Sequence, residues 1–192
     1  MCRMSPSELW VLVAAAILAA PAAANAAGAG PINTPLVAFT DGKPARQVWT
    51  VPGTVKKDNM STDFICTSLE APGIMADIGV EFFDDTGTQL NNVGDTSACA
   101  TNDFPAGFRN VPSGSTIVIG ITGTAQLLEN CVFGLGAFEG SARIVSTSSK
   151  ISCNALLLDT KHKVYDPAIC PNCPSPSVTS LKVIRAKKQS GD

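Results

Sequence analysis

The sequence predicts an all-β fold, an antiparallel β-sandwich of immunoglobulin-like or jelly-roll-like type with about eight strands. Three observations carry this expectation. Ser115–Thr122 alternates strictly, with Ile117, Ile119 and Ile121 facing one way and Thr116, Val118, Gly120 and Thr122 the other. Met75–Phe83 repeats the pattern: Ala76, Ile78, Val80 and Phe82 share one face, and Asp77, Gly79 and Glu81 lie opposite. Such alternation marks a half-buried strand, and one polar face per strand favours antiparallel pairing over a parallel βαβ sheet. Finally, no stretch sustains a 3.6-residue period over three turns, whereas turn residues recur between short apolar runs.

The first element is a targeting one. Arg3 precedes an apolar run, Leu9 to Ala20, that Pro21 ends. A basic head, an apolar centre of roughly 7–15 residues and a small-residue exit describe a secretory signal peptide. Ala24-Asn25-Ala26 fits that exit, so residues 1–26 are expected to be removed ahead of Ala27. The competing reading is a membrane anchor. A bilayer span needs about 20 apolar residues, and this run is shorter and rich in Ala. Glu8 abuts it, and a start at Met4 would forfeit Arg3. No later segment is apolar for long enough, so no integral membrane span is expected after cleavage, and the mature chain belongs in the periplasm or outside the cell.

Residues 27–45, rich in Ala, Gly, Pro and Asn, read as an extended leader to a single sandwich domain at 46–186, followed by a tail at 187–192. Strands are expected at 46–51, 62–69 and 75–83. Asp84-Asp85-Thr86-Gly87 then makes a turn into a return strand at 88–93. Further strands are expected at 115–122, 131–138, 142–147, 150–159 and 178–185, with turns at Pro112-Ser113-Gly114, Glu139-Gly140 and Ser148-Ser149. Neither Gly nor Pro interrupts Thr124–Asn130, where Ala125-Gln126-Leu127-Leu128-Glu129 suits a single helical turn. Lys161–Val178 carries Pro167, Pro171, Pro174 and Pro176. Proline removes a ladder donor, so this segment reads as a long loop.

Cys2 leaves with the signal, and six cysteines remain: Cys66, Cys99, Cys131, Cys153, Cys170 and Cys173. Outside the cytosol an even set favours disulfides. Cys66 shares a face with Phe64, and Cys153 shares one with Ile151, Ala155 and Leu157, so two inward cysteines can bridge inside a sandwich or pack as buried thiols. The expected pairs are Cys66–Cys153, Cys99–Cys131 and Cys170–Cys173. Cys170-Pro171-Asn172-Cys173 also has the spacing of a thiol-redox centre. That chemistry wants a helix N-terminus, which Pro174 and Pro176 disfavour, so a local structural disulfide is preferred. Structural zinc needs four ligands, and His162 is the chain's one histidine, so no metal or cofactor is expected.

Catalytic constellations are not visible, and no enzyme is expected. A Ser-His-Asp site would need His162, which sits in the charged Lys161-His162-Lys163; no G-x-S-x-G occurs. Paired carboxylates can hydrolyse glycosides, and Glu81, Asp84, Asp85, Glu129 and Glu139 are available. Turn chemistry already accounts for Asp84 and Asp85, and Glu81 reads as the solvent face of a strand. Asp84-Asp85-Thr86-Gly87 and Asn91-Asn92…Asp95 offer oxygens for calcium, which takes roughly 6–8 of them. Few aromatics, Trp49 and Tyr165 among them, are on hand for a sugar platform. Asn59-Met60-Ser61 is a glycosylation sequon that matters in a eukaryotic host. A net charge of −2, with 16% charged residues, excludes a nucleic-acid binder. The basic cluster Lys182…Arg185-Ala186-Lys187-Lys188 reads as a solvated terminus.

The phrases Phe64-Ile-Cys-Thr, Ile78-Gly-Val-Glu-Phe-Phe-Asp and Gly140-Ser-Ala-Arg-Ile-Val-Ser-Thr-Ser-Ser-Lys-Ile-Ser-Cys153 resemble uncharacterised secreted bacterial β-sandwich proteins, over roughly residues 46–185. The resemblance implies an exported bacterial protein and adds no activity. The expectation is an exported, non-catalytic sandwich with a binding or structural role and a protein or glycan partner. The alternatives are a thiol-redox protein using Cys170 and Cys173, and a loop-based calcium or carbohydrate binder.

Overall fold

A computed structural model describes residues 28–94, 110–121, 127–160 and 178–186. The expected signal peptide at 1–26, Ala27, Asp95, Cys99, His162, Tyr165, the loop cysteines Cys170 and Cys173, and the tail 187–192 lie outside the described residues.

Ten strands and one short helix make up the described chain: α1 Gly30–Asn33, β1 Arg46–Lys57, β2 Met60–Ser68, β3 Met75–Asp84, β4 Asn110–Pro112, β5 Thr116–Gly120, β6 Cys131–Val132, β7 Phe138–Ser146, β8 Ile151–Asp159, β9 Val178–Leu181 and β10 Ile184–Arg185. They form one continuous sheet folded back on itself. The fold line is the β1–β2 hairpin, whose strands pair only at Lys56–Ser61 and Lys57–Met60 before they part. Its two-residue tip places Asp58 at φ 54°, the left-handed conformation that such tips require and that Asp tolerates. One half runs β4-β3-β7-β1 with β10 beside β1; the other runs β6-β5-β2-β8-β9. Every described pairing is antiparallel except β5 with β6.

The inner faces of the two halves supply a single core. Val51, Ala76, Ile78, Val80, Phe82, Ala142 and Ile144 come from one side, and Phe64, Cys66, Ile117, Ile119, Ile121 and Ala155 from the other. Phe82 is its hub. The ring stands edge-on to Phe64 at 5.6 Å, Phe133 at 5.5 Å and Phe138 at 5.6 Å, the T-shaped geometry that the aromatic quadrupole favours. The all-β sandwich is therefore as expected, and the inward faces of β3 and β5 are the ones alternation assigns.

Several elements differ from expectation, each for a local reason. β1 does not stop at Val51. It continues through Pro52 because a bulge leaves Gly53, at φ 77°, as the extra unpaired residue, and bulges are where a strand accommodates proline. Glu139-Gly140 is not a turn but the start of β7. A Cβ at Gly140 would run into the Phe83 carbonyl oxygen and Asp84, so this glycine permits close backbone approach. The return strand at 88–93 shrinks to a single Phe83–Gln89 bridge. Beyond it the Asn91 side chain takes the ladder's place, accepting from the Phe82 amide at 2.7 Å and donating to the Val80 carbonyl at 3.0 Å. The expected 131–138 strand is paired only at Cys131–Val132; of the expected helical turn at 125–129, residues 125 and 126 lie outside the described residues and Leu127–Glu129 is not helical. The final strand is split: β9 pairs with β8 and β10 with β1, while Val183 between them packs on the core.

The largest departure concerns the outer face of β3 and β7. Residues 28–45 form a strap across it, and Phe39 closes a second small core with Val93 and Val145. Asp77, Glu81 and Arg143, all on this outer face, are fully buried. Glu81 is thus not on a solvent face. Alternation correctly separates it from the main core, but the strap covers that face.

Candidate functional site

Two clusters of buried charge stand out, one on each half of the sandwich. The first holds the strap. Glu81 and Arg143 are direct cross-strand partners on β3 and β7. The Arg143 Nε donates to Glu81 Oε2, and the Val93 amide donates to the other carboxylate oxygen at 3.0 Å. The Arg143 Nη1 donates to the carbonyls of Pro31 and Thr34, and its Nη2 donates to that of Pro35 at 3.0 Å. The guanidinium also lies 5.3 Å from the Phe83 ring centroid. The planar fork of arginine suits three carbonyls and a carboxylate together, which lysine's single nitrogen does not. Pro31 and Pro35 fix the backbone that carries two of these carbonyls. Farther along the strap, the Lys43 Nζ donates to Asp77 Oδ2 at 2.6 Å and lies 2.9 Å from Asp41. Burial nevertheless outweighs Lys43 and raises the Asp77 carboxyl above its ordinary range.

The second cluster is a carboxyl pair. Asp63 on β2 points away from the core, out of phase with the inward Phe64, yet it is fully buried. It stands opposite Gly120 of β5 on one side and Leu156 of β8 on the other. A Cβ at Gly120 would lie 2.7 Å from Asp63 Oδ1 and 3.0 Å from Glu129 Cγ. Both acidic side chains therefore occupy the space that this glycine leaves. Neither Asp63 oxygen accepts a well-formed hydrogen bond from an N–H or a hydroxyl, and the Ile121 amide interacts with it only weakly. Desolvation first, and then the Glu129 carboxylate beside it, push the Asp63 carboxyl up to about 8. Glu129 is one of the carboxylates that the sequence offers for acid chemistry. Asp63 is not, because an acid inside a strand gives no sign that its face will be covered. The available sign was Gly120, a residue without a side chain in the midst of a well-patterned strand.

Other expected positions fall elsewhere. Cys66 and Cys153 form a disulfide, with Cα atoms 4.2 Å apart. They are direct cross-strand partners on β2 and β8, so the bond joins neighbours within one half instead of spanning the sandwich. Cys131 is disulfide-bonded too. Of the calcium candidates, Asp84 closes its own turn: Oδ1 accepts from the Thr86 amide at 3.0 Å, the Thr86 hydroxyl at 2.7 Å and the Thr88 amide at 2.8 Å. Those bonds, the Thr86 hydroxyl foremost, hold its carboxyl below the usual range. Asn91 completes the sheet edge, and Asn92 accepts from the Gly94 amide at 2.9 Å. Glu139 pairs with Lys57 on the surface at 2.6 Å. Trp49 packs on the core beneath Arg185, whose guanidinium lies 5.6 Å from the ring. The structure thus gathers Asp63 with Glu129, and Glu81 with Arg143, but does not bring Glu81, Asp84, Glu129 and Glu139 together.

Among the described residues, no three His, Cys, Asp or Glu side chains converge on a metal position, and no helix is long and apolar enough to cross a membrane. No protein-family model matches the chain, and none of the curated proteins or solved structures compared with it does either.

Proposed function

We propose that this is an exported, non-catalytic β-sandwich protein that works by binding in the periplasm or at the cell surface. The observation that carries the reading is the Cys66–Cys153 disulfide, set in the core between adjacent strands, since such bonds persist in oxidising compartments. The N-terminal pattern of residues 1–26 supports export. Cys99–Cys131 and Cys170–Cys173 complete the proposed set. A binding role is supported by Leu69 and Ile74 of the β2–β3 connection and Met75 at the start of β3, exposed large apolar side chains close together in the chain. Clustered exposed apolar surface is characteristic of interaction sites.

Cell fractionation followed by non-reducing peptide mapping tests export. An N-terminus at Ala27 in the exported fraction, with Cys66 linked to Cys153, is the expected result. Intact residues 1–26 on a cytosolic protein with free thiols would overturn it. The binding role is tested in the same fractionation. A Leu69→Ser, Ile74→Ser, Met75→Ser variant is expected to be exported and folded but to leave the large complexes or cell-surface fraction that hold the parent protein. An unchanged distribution counts against this surface.

A further inference from the structure

We propose that Asp63 and Glu129 share a single proton, and that the pair is a proton-operated latch holding the Leu127–Asn130 segment against β2 and β5. This rests on the geometry of the buried pair and is independent of the proposed export and binding role. Asp63 is wholly buried, and no N–H or hydroxyl meets either of its oxygens in good hydrogen-bond geometry; the Ile121 amide contributes only weakly. A buried carboxylate left that way is strongly disfavoured. The polar side chain that reaches it is Glu129, which shares with it the space left beside Gly120, and a second carboxylate brings an acceptor and a negative charge instead of a donor. One proton resolves both problems. It converts two facing acceptors into a charge-assisted O–H···O bond and removes the repulsion that forbids two adjacent carboxylates from ionising together.

Among the described residues, none offers Asp63 a counter-ion. Facing Asp63 from the strands packed against β2 are Gly120 of β5 and Leu156 of β8, both uncharged, and the Ile121 amide that follows β5 lowers the Asp63 carboxyl only in part. Among the described residues, Glu129 is the one charged group with which Asp63 interacts. A divalent cation is the competing occupant. Calcium takes roughly 6–8 oxygens, whereas here two carboxyl groups meet and no third acidic, histidine or cysteine side chain joins them among the described residues. A proton needs two ligands, and two are present.

The latch has a defined load. Glu129 is half-buried, and next to it the Asn130 amide donates to the Val118 carbonyl while its side-chain oxygen accepts from the Val118 amide, each at 2.8 Å. These bonds extend the edge of β5 just before Cys131 enters β6. When the shared proton leaves, Asp63 becomes a buried negative charge facing the Glu129 carboxylate. Glu129 is the partner with access to water, so it moves outward and strains the Asn130–Val118 pairing.

The test combines carboxyl-carbon NMR titration of the full chain with amide-exchange protection of Val118 and Asn130. Protection, corrected for the intrinsic pH dependence of exchange, should fall at least tenfold between pH 7 and pH 9. The Asp63 carboxyl should titrate at about 8. Asp63→Asn supplies a permanent donor to Glu129, so it should abolish the fall. Glu129→Gln, at a half-exposed position, should do the same and serves if Asp63→Asn does not fold. An Asp63 carboxyl titrating in the ordinary range, with protection independent of pH, would overturn the latch. So would stoichiometric calcium binding at pH 7 that Glu129→Gln eliminates, since the pair would then hold a cation.

Discussion

Arg143 on β7 and Glu81 on β3 oppose each other in the sheet register and form an ion pair that excludes water completely. The pair does more than join two strands. Arg143 spends its remaining donors on three carbonyls of the strap, so a single side chain fixes residues 31–35 to a sheet more than a hundred positions away in sequence. Buried pairs of this kind are weak evidence for net stability, but breaking one leaves a charge stranded.

Arg143→Ala should therefore cost about 3–5 kcal/mol, the penalty for stranding the Glu81 carboxylate. Arg143→Lys should recover only part of that, because one ammonium cannot serve three carbonyls and a carboxylate. Urea denaturation measures both. In either variant, limited proteolysis under native conditions should cut within residues 31–40 before it cuts the strands.

Phe82→Ala should destabilise the protein by about 3–5 kcal/mol, the range for a fully buried phenylalanine. Its ring is where aromatic side chains from both halves meet, so the loss should appear as one cooperative transition at lower urea with an unchanged slope.

Gly140→Ala tests the reassignment of Glu139-Gly140 from turn to strand. Its Cβ would meet the backbone of Phe83 and Asp84, which cannot swing aside. A loss of about 1–3 kcal/mol is expected, as for other overpacking changes. Gly134→Ala makes a fair control: nothing lies within 4 Å of the added carbon, and the change should stay within about 0.5 kcal/mol.

Asp63 should impose a pH dependence of recognisable sign. Burial first, and then the Glu129 carboxylate, push its carboxyl up to about 8 in the folded chain from the ordinary 3.8. Between those values the folded state holds a proton that the unfolded state has lost. Stability should thus decline as pH rises from about 4 and level off above about 8. Asp63→Asn should flatten that slope and be the more stable form at neutral pH. Chemical denaturation at half-unit pH steps reads the difference.

The Cys66–Cys153 bond closes a separation of 87 residues. Replacing both cysteines by alanine should cost about 2–5 kcal/mol. Both are buried, so reductant alone should leave the bond intact in the native protein and cleave it once urea opens the core. Timed thiol labelling, with and without urea, follows this directly.

By itself the sequence determined the fold class and the inward half of most strands. Ile117, Ile119 and Ile121, or Ala76, Ile78, Val80 and Phe82, can enter water-free space only together, and a period of two states which residues travel together. It also singled out Cys66 and Cys153 as inward-facing partners. Strand ends were less legible. Pro52-Gly53 and Glu139-Gly140 look like stops, and only the register showed one as a bulge and the other as a close approach. What the tertiary structure alone decided was the second face of each strand. Alternation places Asp63, Asp77, Glu81 and Arg143 opposite the main core but says nothing of what will cover them. A strap from residues 28–45 and a segment around Glu129 do so, through contacts far apart in sequence. The physical reason is that burial of a strand's outer face is set by what packs over it, whereas the inner face is set by the strand's own pattern.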